Sequence, residues 1–343
     1  MKKKYITGSI ETKGGEIPTV STSIDRMDKW GAFKARCSIG RMRYTIRPGL
    51  YAAGNPDQDS IVLVSANYKL SFDVLRSSLH GIDAWILVLD TKGINVWCAA
   101  GKGTFGTDEI VNRIEQTRLK EIIGHRKLIV PQLGAPGVAA HEVKKHSGFT
   151  VIYGPVRASD ILSFLENGMV ATAEMRKVNF SMRDRSVLVP VEFVMGFKHL
   201  VLASVVFFLL AGLHKGGYST QVALTAGSRS TLILLLAFLT GTIMVPMLLP
   251  WLPGRSFSLK GLIAGLILIV VLGVSGFAES NIIESLAWIL IVTAISSFTA
   301  MNFTGASTYT SLSGVKKEMR IAVPLQITAS LTGVTLWIIG RFV

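Results

Sequence analysis

Cys98 lies in a stretch of this chain whose residue types and spacing favour metal binding or nucleophilic chemistry. The run Asn-Val-Trp-Cys-Ala-Ala-Gly-Lys occupies residues 95–102, with Asn95 as a favourable N-cap and Gly103 as a favourable C-terminal stop. It predicts a helix of about two turns with Cys98 in the first turn. The partial positive charge of a helix N-terminus favours the thiolate, and Lys102 follows one turn later on the same face. We expect Cys98 to be a metal ligand or a nucleophile.

Three other interpretations compete for the same residues. The run from Gly101 to Gly106 matches the GxGxxG spacing of dinucleotide-binding loops, but it follows a short helix instead of linking a strand directly to a helix. A phosphate-binding P-loop needs glycine in place of Val96 and serine or threonine in place of Gly103. A lone cysteine can also be a small buried hydrophobe, and a structural role is the simplest hypothesis for Trp97.

The elements around this run predict an alternating α/β domain. Uninterrupted short apolar runs indicate buried strands, and apolar residues at helical spacing indicate helices between them. We expect strands at 61–64, 84–89, 128–130 and 149–153, and helices at 70–79, 107–123, 137–145 and 159–165. This order is typical of a Rossmann-like domain with a mostly parallel sheet covered on both faces.

Ligands of such sheets bind at the carboxyl ends of the strands. The predicted strand ends are rich in glycine, proline and small polar residues, which let the backbone approach a large flat ligand. On position alone, the candidate cofactor contacts at these ends are Ser65, Asn67, Gly134, Gly137 and Gly154.

The run at residues 95–102 and its continuation Gly-Thr-Phe-Gly-Thr resemble the signature of the corrinoid protein family of bacterial and archaeal mercury methylation (HgcA). The segments Ser-Ala-Asn-Tyr-Lys-Leu (65–70), Leu-Asp-Thr-Lys-Gly-Ile-Asn (89–95) and Pro-Gln-Leu-Gly-Ala-Pro-Gly-Val (131–138) agree with it. The soluble half is also similar to the corrinoid domain of the acetyl-CoA-pathway corrinoid iron–sulfur protein. The resemblance covers most of the chain beyond residue 45.

The resemblance implies a corrinoid-dependent methyltransferase that transfers a methyl group from cobamide cobalt to inorganic Hg(II), giving methylmercury. It implies a base-off cobamide with Cys98 as the lower axial cobalt ligand. The Asp-x-His-x-x-Gly signature of histidine-ligated corrinoid proteins does not occur in this sequence. The residues expected to contact the cofactor from the run are Asn95, Val96, Trp97, Cys98, Ala99, Ala100, Gly101, Lys102, Gly103 and Thr104.

The chemistry of Hg(II) also favours a sulfur ligand. Hg(II) is an electrophile, so the methyl group must leave as a carbanion or radical equivalent, and a thiolate is a soft, strongly donating ligand that assists such a cleavage. A methyl carrier of the acetyl-CoA type, which passes its methyl group to a nucleophile, is the alternative corrinoid function.

The cysteine count limits what this chain can carry. Two cysteines without a CxxC spacing exclude a disulfide framework, a zinc site built on paired cysteines, and an iron–sulfur cluster held by this chain alone. The resemblance implies a separate ferredoxin-like partner with two 4Fe–4S clusters, as donor of electrons and of Hg, besides an upstream methyl donor or methyltransferase.

The second half predicts a membrane domain. We expect an irregular N-terminal segment (1–45), a cytoplasmic cobamide-binding domain (46–189) and a transmembrane domain (190–343). The apolar stretches at 193–213, 231–252, 261–278, 282–301 and 321–340 are long enough to span a bilayer, and Pro246 and Pro250 predict a kink or break in the second. No apolar core follows the basic residues at 2–4, so no cleavable leader is expected.

The basic residues of the loops predict the orientation. With the soluble domain in the cytoplasm and the C-terminus outside, nine lysines and arginines lie inside against three outside. The inner set is Arg176, Lys177, Arg183, Arg185, Arg255, Lys260, Lys316, Lys317 and Arg320, and the outer set is Lys215, Arg229 and Arg341.

The net charge of +14 fits a protein that lies beside anionic membrane lipid. No stripe of basic residues alternates with aromatic ones, so the basic excess favours anionic lipid over nucleic acid as its partner. The spans carry almost no ionisable residue away from their ends, which argues against a transport path. A transporter or sensor with a nucleotide-binding domain stays the hypothesis from another functional class.

Overall fold

The computed structural model describes residues 5–277, 281–306 and 312–343. By internal contacts the chain divides into two compact units. The first comprises Met1–Ala35 and Ile39–Val178, and the second comprises Arg36–Ser38 and Asn179–Val343.

The first unit is an α/β domain built from short strands and helices. Its strands are β1 (Ile6–Thr12), β2 (Gly15–Val20), β3 (Gly49–Ala53), β4 (Ile61–Ala66), β5 (Ala84–Leu89), β6 (Lys127–Val130) and β7 (Thr150–Tyr153). Its helices are α1 (Arg26–Arg36), α2 (Lys69–Ser77), α3 (Val96–Lys102), α4 (Thr107–Gln116), α5 (Leu119–Ile122), α6 (Ala140–Ser147) and α7 (Ile161–Glu166). Short 3-10 turns occupy Arg41–Arg43, Gln132–Gly137 and Ala158–Asp160.

The seven strands form one sheet in the order β1-β2-β3-β5-β4-β6-β7. The pairs β4–β5, β4–β6 and β6–β7 are parallel, as is the short β2–β3 pair, whereas β1–β2 and β3–β5 are antiparallel. The predicted mostly parallel sheet is confirmed. Because β5 and β6 flank β4 on opposite sides, the strand order reverses at β4, and such a switch point is where open α/β sheets bind ligands.

Helices cover both faces of this sheet. One core cluster joins alternate residues of the strands, such as Val64, Leu87 and Val130, to side chains from α3 to α6. The other joins the intervening strand residues to Phe72 of α2 and Phe164 of α7. Since successive strand side chains point to opposite faces, strands that are apolar at every position must be covered on both sides.

Residues 5–45 are not irregular, contrary to the prediction. They contain a hairpin of β1 and β2 at the sheet edge, followed by helix α1. Strand β1 is mostly exposed and polar, so it lacks the hydrophobic alternation by which a strand is recognised from sequence. The strand β3 was also not predicted, although its Leu50, Tyr51, Ala52 and Ala53 are buried.

A buried ionic cluster attaches α1 to α2. Lys69 Nζ lies 2.6 Å from carboxylate oxygens of both Asp28 and Asp73, and Arg76 donates from Nη2 to Asp28 at 2.5 Å and from Nε to Asp73 at 2.8 Å. The Arg76 Nη1 also donates to the carbonyl oxygens of Ser21 and Ser23. Two cations and two carboxylates therefore neutralise one another out of water, which is the condition under which buried charges are tolerated.

The second unit is mainly helical, and five helices among its described residues are long and apolar enough to cross a membrane. These candidate spans are Met182–Leu210, Thr220–Leu248, Phe257–Val274, Ile282–Asn302 and Ser313–Gly340, so the five predicted spans are confirmed as helices. The predicted end of the third span, Ala278, lies outside the described residues.

Individual helices of this unit are α8 (Met182–Ser186), α9 (Val189–Leu210), α10 (Thr220–Val222), α11 (Ser228–Leu239), α12 (Val245–Leu248), α13 (Phe257–Val274), α14 (Ile282–Asn302) and α15 (Leu312–Gly340). The second span contains π-helical turns at Ala223–Gly227 and Thr240–Met244 and ends soon after Pro246, as its prolines predicted. A β-carbon at Gly261 or Gly265 would meet atoms of α14, so this GxxxG pair serves close helix packing within the unit.

The buried ionic cluster makes a stability prediction. Asp28→Asn leaves Lys69 and Arg76 with one carboxylate between them, and we expect a loss of about 3–5 kcal/mol in the stability of the α1 attachment. Hydrogen exchange of the α1 amides measures it. Asp108→Asn, an exposed carboxylate change on α4, is the control and should leave α1 protected. Unchanged protection of α1 in Asp28→Asn would contradict the role of the cluster.

The Asp28 carboxylate also makes the stability of the α1 attachment depend on pH. Burial raises the pKa of Asp28, but hydrogen bonds and charges of Lys69 and Arg76 lower it by more, so its pKa lies below the ordinary aspartate value. A carboxyl with a depressed folded pKa stabilises the fold above its unfolded pKa, and this contribution is lost as the pH falls through the folded value. Protection of α1 should therefore persist at neutral pH and decline below about pH 4.

Candidate cofactor-binding site

The carboxyl ends of β4 and β5 are joined by the side chain of Asn67. Its Oδ1 accepts hydrogen bonds from the Thr91 amide at 3.1 Å and the Gly93 amide at 3.0 Å, and it lies 2.9 Å from the Thr91 hydroxyl oxygen. Its Nδ2 donates to Asp90 Oδ1 at 3.2 Å. Asn67 is buried, so these bonds satisfy the side chain within the protein. Asn67 therefore holds the loop that leads from β5 into α3.

This loop makes a tight turn before α3. Lys92 and Gly93 both have positive φ, of 58° and 72°, and a β-carbon at Gly93 would meet Thr45 and the Met42 carbonyl oxygen. Glycine is required at this position because a side chain would be strained and would collide with the neighbouring segment. The hydroxyl of Thr91 donates to the Ile94 carbonyl at 2.7 Å and completes the turn.

Helix α3 has the predicted caps. The Asn95 side chain accepts from the Cys98 amide at 2.9 Å, and Gly103 ends the helix with φ of 80°. Cys98 is half-buried in the first turn and is a free cysteine. Lys102 and Gly101 are exposed, whereas Ala99 and Ala100 are buried against the core. The helix thus turns its alanines inward and keeps Cys98 at the boundary with solvent.

The inner side of α3 packs against the Gln132–Gly137 turn. A β-carbon at Gly137 would collide with the Phe105 carbonyl oxygen and with the backbone of Ala100, and one at Gly134 would collide with the Phe105 ring. Phe105 is fully buried. These two glycines therefore let the turn after β6 approach α3, and Phe105 packs against both of them.

The glycines proposed as cofactor contacts thus have different surroundings. Close packing inside the protein accounts for Gly134, Gly137 and also Gly154, whose β-carbon would lie 2.9 Å from Ile129. No described atom lies within 4 Å of a β-carbon built at Gly101, beyond its own helix backbone and chain neighbours. Ser65 is buried at the end of β4. Backbone contacts from these strand ends to a cofactor stay predictions.

Charged side chains surround the loop on its exposed side. The Glu109 carboxylate of α4 accepts from the Asp90 amide at 2.8 Å and from Arg113 Nη2 at 2.6 Å. Burial raises the pKa of Asp90, but the hydrogen bonds from the Lys92 side chain and amide, with the Lys92 charge, lower it by more, so Asp90 stays ionised. The loop is consequently anchored from α4 as well as from Asn67.

The structure brings most of the predicted site residues to one edge of the sheet. The residues from Asn95 to Thr104 form α3 and its exit, Val96 packs on the core, and Trp97 is half-buried. Sequence reasoning missed the roles of Thr91, Gly93 and Phe105. A glycine with positive φ after a strand is a visible signal, but the pairing of Asn67 with Thr91 joins residues 24 positions apart and has no local pattern.

Removing the Asn67 side chain should release this loop. Asn67→Ala leaves the amides of Thr91 and Gly93 without their acceptor, which costs about 1–3 kcal/mol for each unsatisfied group, whereas the Thr91 hydroxyl keeps the Ile94 carbonyl oxygen as its acceptor. We expect faster hydrogen exchange at residues 91–98, with β7 unaffected. Asn167→Ala, at an exposed position, is the matched control. Wild-type exchange rates at residues 91–98 in Asn67→Ala would refute the anchoring role.

Comparison with known proteins places the similarity in this same unit. Residues 41–165 match the family model of the CO dehydrogenase/acetyl-CoA synthase delta subunit. The acetyl-CoA decarbonylase/synthase complex subunit gamma of Methanopyrus kandleri is 33% identical over 123 residues, which are 35% of this chain and 26% of that protein. The same subunit of Archaeoglobus fulgidus is 32% identical over 123 residues, again 35% of this chain and 26% of that protein. The chain thus spans about a quarter of the length of these relatives.

Proposed function

We propose that the α/β unit binds a cobamide and transfers its methyl group to inorganic Hg(II), forming methylmercury. The observation that carries the proposal is the capped helix α3 at the carboxyl edge of the sheet, with half-buried Cys98 in its first turn. The sequence of this helix resembles the mercury-methylation family, and the comparisons with acetyl-CoA decarbonylase/synthase subunits support the coarser assignment to corrinoid-dependent methyl transfer.

The donor set fits a cobalt that brings most of its own ligands. Among residues 5–277, 281–306 and 312–343, no group of three or more His, Cys, Asp or Glu side chains is arranged to hold a metal ion. A corrin ring would bring its own nitrogen ligands to the cobalt, so the protein would need to provide only one further ligand. A cysteine at the solvent boundary of a capped helix can be that ligand, because the helix fixes its position and the space beside Gly101, one turn away, is open.

Gly101 supports a ligand on the outer side of α3. Glycine inside a helix costs up to about 1 kcal/mol relative to alanine, and a methyl group at this position would meet no described protein atom. The packing of the protein itself therefore gives no reason for glycine here. A large flat cofactor that lies over α3, with Cys98 one turn away from Gly101, would explain why glycine occupies this position.

The chain's residues then have distinct roles. Cys98 would be the lower axial ligand of a base-off cobamide, whose contribution when bound is a cobalt–carbon bond that can release the methyl group to Hg(II). A Cys98 thiolate bound there would donate electron density, which would favour release of the methyl group with carbanion or radical character to an electrophile. Asn95 positions Cys98 by accepting its amide hydrogen, and Asn67 positions the loop before it.

The reaction needs partners that supply electrons and the methyl group. With two cysteines the chain cannot hold a four-thiolate iron–sulfur cluster, so we propose a ferredoxin-like protein with two 4Fe–4S clusters as donor of electrons and of Hg(II). A separate methyl donor or methyltransferase would remethylate the cobamide. The five candidate spans would anchor the protein in the cytoplasmic membrane, with the α/β unit inside and the C-terminus outside.

A methyl carrier of acetyl-CoA-pathway type is the second candidate. The match to acetyl-CoA synthase and decarbonylase/synthase subunits favours it specifically. The two functions share the cofactor and differ in the acceptor, which is electrophilic Hg(II) in one and a nucleophilic metal centre in the other. They therefore differ in how strongly the reaction depends on a donating axial thiolate.

The Cys98→Ala variant tests the axial ligand. We expect it to retain cobamide through the remaining contacts, to change the visible absorption spectrum of the bound cobamide, and to abolish methylmercury formation. Cys37→Ala, at the other free cysteine, is the matched control and should change neither. The measurements are the spectrum of the purified protein and methylmercury produced from Hg(II) with reductant and methyl donor.

Other outcomes of this experiment decide between the candidates. A cobamide spectrum that is indifferent to Cys98→Ala, with methyl transfer to an acetyl-CoA synthase centre, would favour the acetyl-CoA type. Undiminished methylmercury formation by Cys98→Ala would sink the assigned role of the thiolate. Wild-type protein that carries no cobamide would overturn both corrinoid functions and favour the nucleotide-binding transporter or sensor.

The Gly101→Leu variant tests the position of the cofactor. Because the space beside Gly101 is open, the cofactor-free protein should fold, and leucine should add about 1 kcal/mol of helix stability. A cobamide over α3 would collide with the new side chain, so we expect a strong fall in bound cobamide per protein. Gly8→Leu, where a β-carbon also meets open space, is the control. Normal loading of Gly101→Leu would place the cofactor elsewhere.

A further inference from the structure

Helix α1 carries an inverted pattern of polarity. Its buried residues are Asp28, Gly31 and Ala35, whereas three large apolar residues at spacings of three point to solvent. Met27, Trp30 and Phe33 are 59%, 53% and 53% exposed. An amphipathic helix of a soluble domain normally buries its apolar face, so an exposed apolar face indicates contact with something other than water.

The contacts on the buried side of α1 prevent the helix from rotating about its axis to bury its apolar residues. Asp28 is held by Lys69 and Arg76 in the ionic cluster, and a β-carbon at Gly31 would collide with the Tyr44 ring. These contacts need a carboxylate and a residue without a side chain on the inner face. They fix the rotation of the helix about its axis, and the face defined by Met27, Trp30 and Phe33 is therefore held outward.

The exposed side has aromatic side chains in a defined arrangement. The rings of Trp30 and Phe33 stack with their centroids 5.5 Å apart, and Lys34 Nζ lies 6.0 Å from the centroid of the Trp30 ring. Tryptophan is enriched at membrane–water interfaces, where its ring lies at the level of the headgroups.

The charge of α1 points to an anionic surface. The helix has four basic residues and one acidic residue, and the acidic one, Asp28, is neutralised inside the cluster. Arg26 and Lys29 are exposed beside the apolar face. A basic helix with tryptophan, phenylalanine and methionine on one face has the composition of helices that lie in the plane of a lipid interface.

We propose that the face of α1 formed by Met27, Trp30 and Phe33 inserts into the surface of an anionic phospholipid bilayer. This inference rests on the membrane anchoring proposed above: the five candidate spans of the same chain would hold the α/β unit at such a surface, so a weak interfacial contact would be sufficient. Arg26 and Lys29 contact the lipid phosphates, and the aromatic pair enters the boundary between headgroups and acyl chains. This contact is independent of the cobamide and of the methyl acceptor.

The test uses the full-length chain in nanodiscs with brominated acyl chains, which quench tryptophan at short range. The chain has six tryptophans, so the signal of Trp30 is taken as the difference between wild type and Trp30→Phe. We expect this difference signal to be quenched by brominated phosphatidylglycerol and to be shielded from aqueous acrylamide. The proposal is overturned if brominated lipid does not quench the difference signal and aqueous acrylamide quenches it freely.

A charge variant tests the same contact without touching the aromatic pair. Each basic residue near an anionic bilayer contributes about fivefold to the bound population, so Arg26→Gln with Lys29→Gln should lower it about 25-fold. Lys144→Gln with Lys145→Gln, which removes the same charge from exposed positions on α6, is the matched control and should leave Trp30 quenched. Equal quenching in both double variants overturns the role assigned to the charges.

Hydrogen exchange identifies the occupant if it is not lipid. Trp30 that is shielded from acrylamide but not quenched by brominated lipid would be covered by protein, either a second copy or a partner, and this result also overturns the proposal. Protection of residues 26–36 in anionic nanodiscs that weakens in phosphatidylcholine or at high salt supports it, because screening acts on the charges of Arg26 and Lys29.

Discussion

The geometry of the candidate site depends on one oxygen atom, Oδ1 of Asn67. It accepts hydrogen bonds from the amides of Thr91 and Gly93, it lies 2.9 Å from the Thr91 hydroxyl oxygen, and the side chain is buried. A buried amide that satisfies its neighbours in this way is costly to replace, since removing it leaves several polar groups unpaired at once. The direction in which the chain leaves β5, and with it the start of α3, follows from this interaction.

Helix α3 is then placed between a closed and an open side. The closed side is built from Ala99 and Ala100, Phe105 and the glycines of the turn after β6, where added side chains would collide. The open side carries Cys98 and Gly101. Close packing on one side makes a short helix rigid, although seven residues alone would not form a stable helix in water. A rigid helix of this kind can hold a single ligand in a fixed position.

The N-terminal segment belongs to the same system of constraints. The segment around Thr45 and Met42 packs against Gly93, and helix α1 is fixed to α2 by the charges of Asp28, Lys69, Asp73 and Arg76. These are buried polar contacts, which specify one arrangement because alternatives leave charges unpaired. The apolar residues of α1 are left on the outside as a result, which is the reverse of what hydrophobic burial alone would produce.

The sequence by itself determined the parts that depend on neighbouring residues. The caps of α3, the position of Cys98 in its first turn, the apolar strands β4 to β7 and the five long apolar helices all follow from local spacing, because capping and hydrophobic periodicity act over a few residues.

The tertiary structure decided what depends on residues far apart. It added β1 to β3 to the sheet, made Asn67 an acceptor for the loop before α3, and showed that Gly134 and Gly137 lie in close packing while Gly101 faces open space. Polar contacts over long sequence separations have no periodic pattern in the sequence. A glycine can make room for another part of the protein or for a ligand, and which of the two applies depends on what the fold brings beside it.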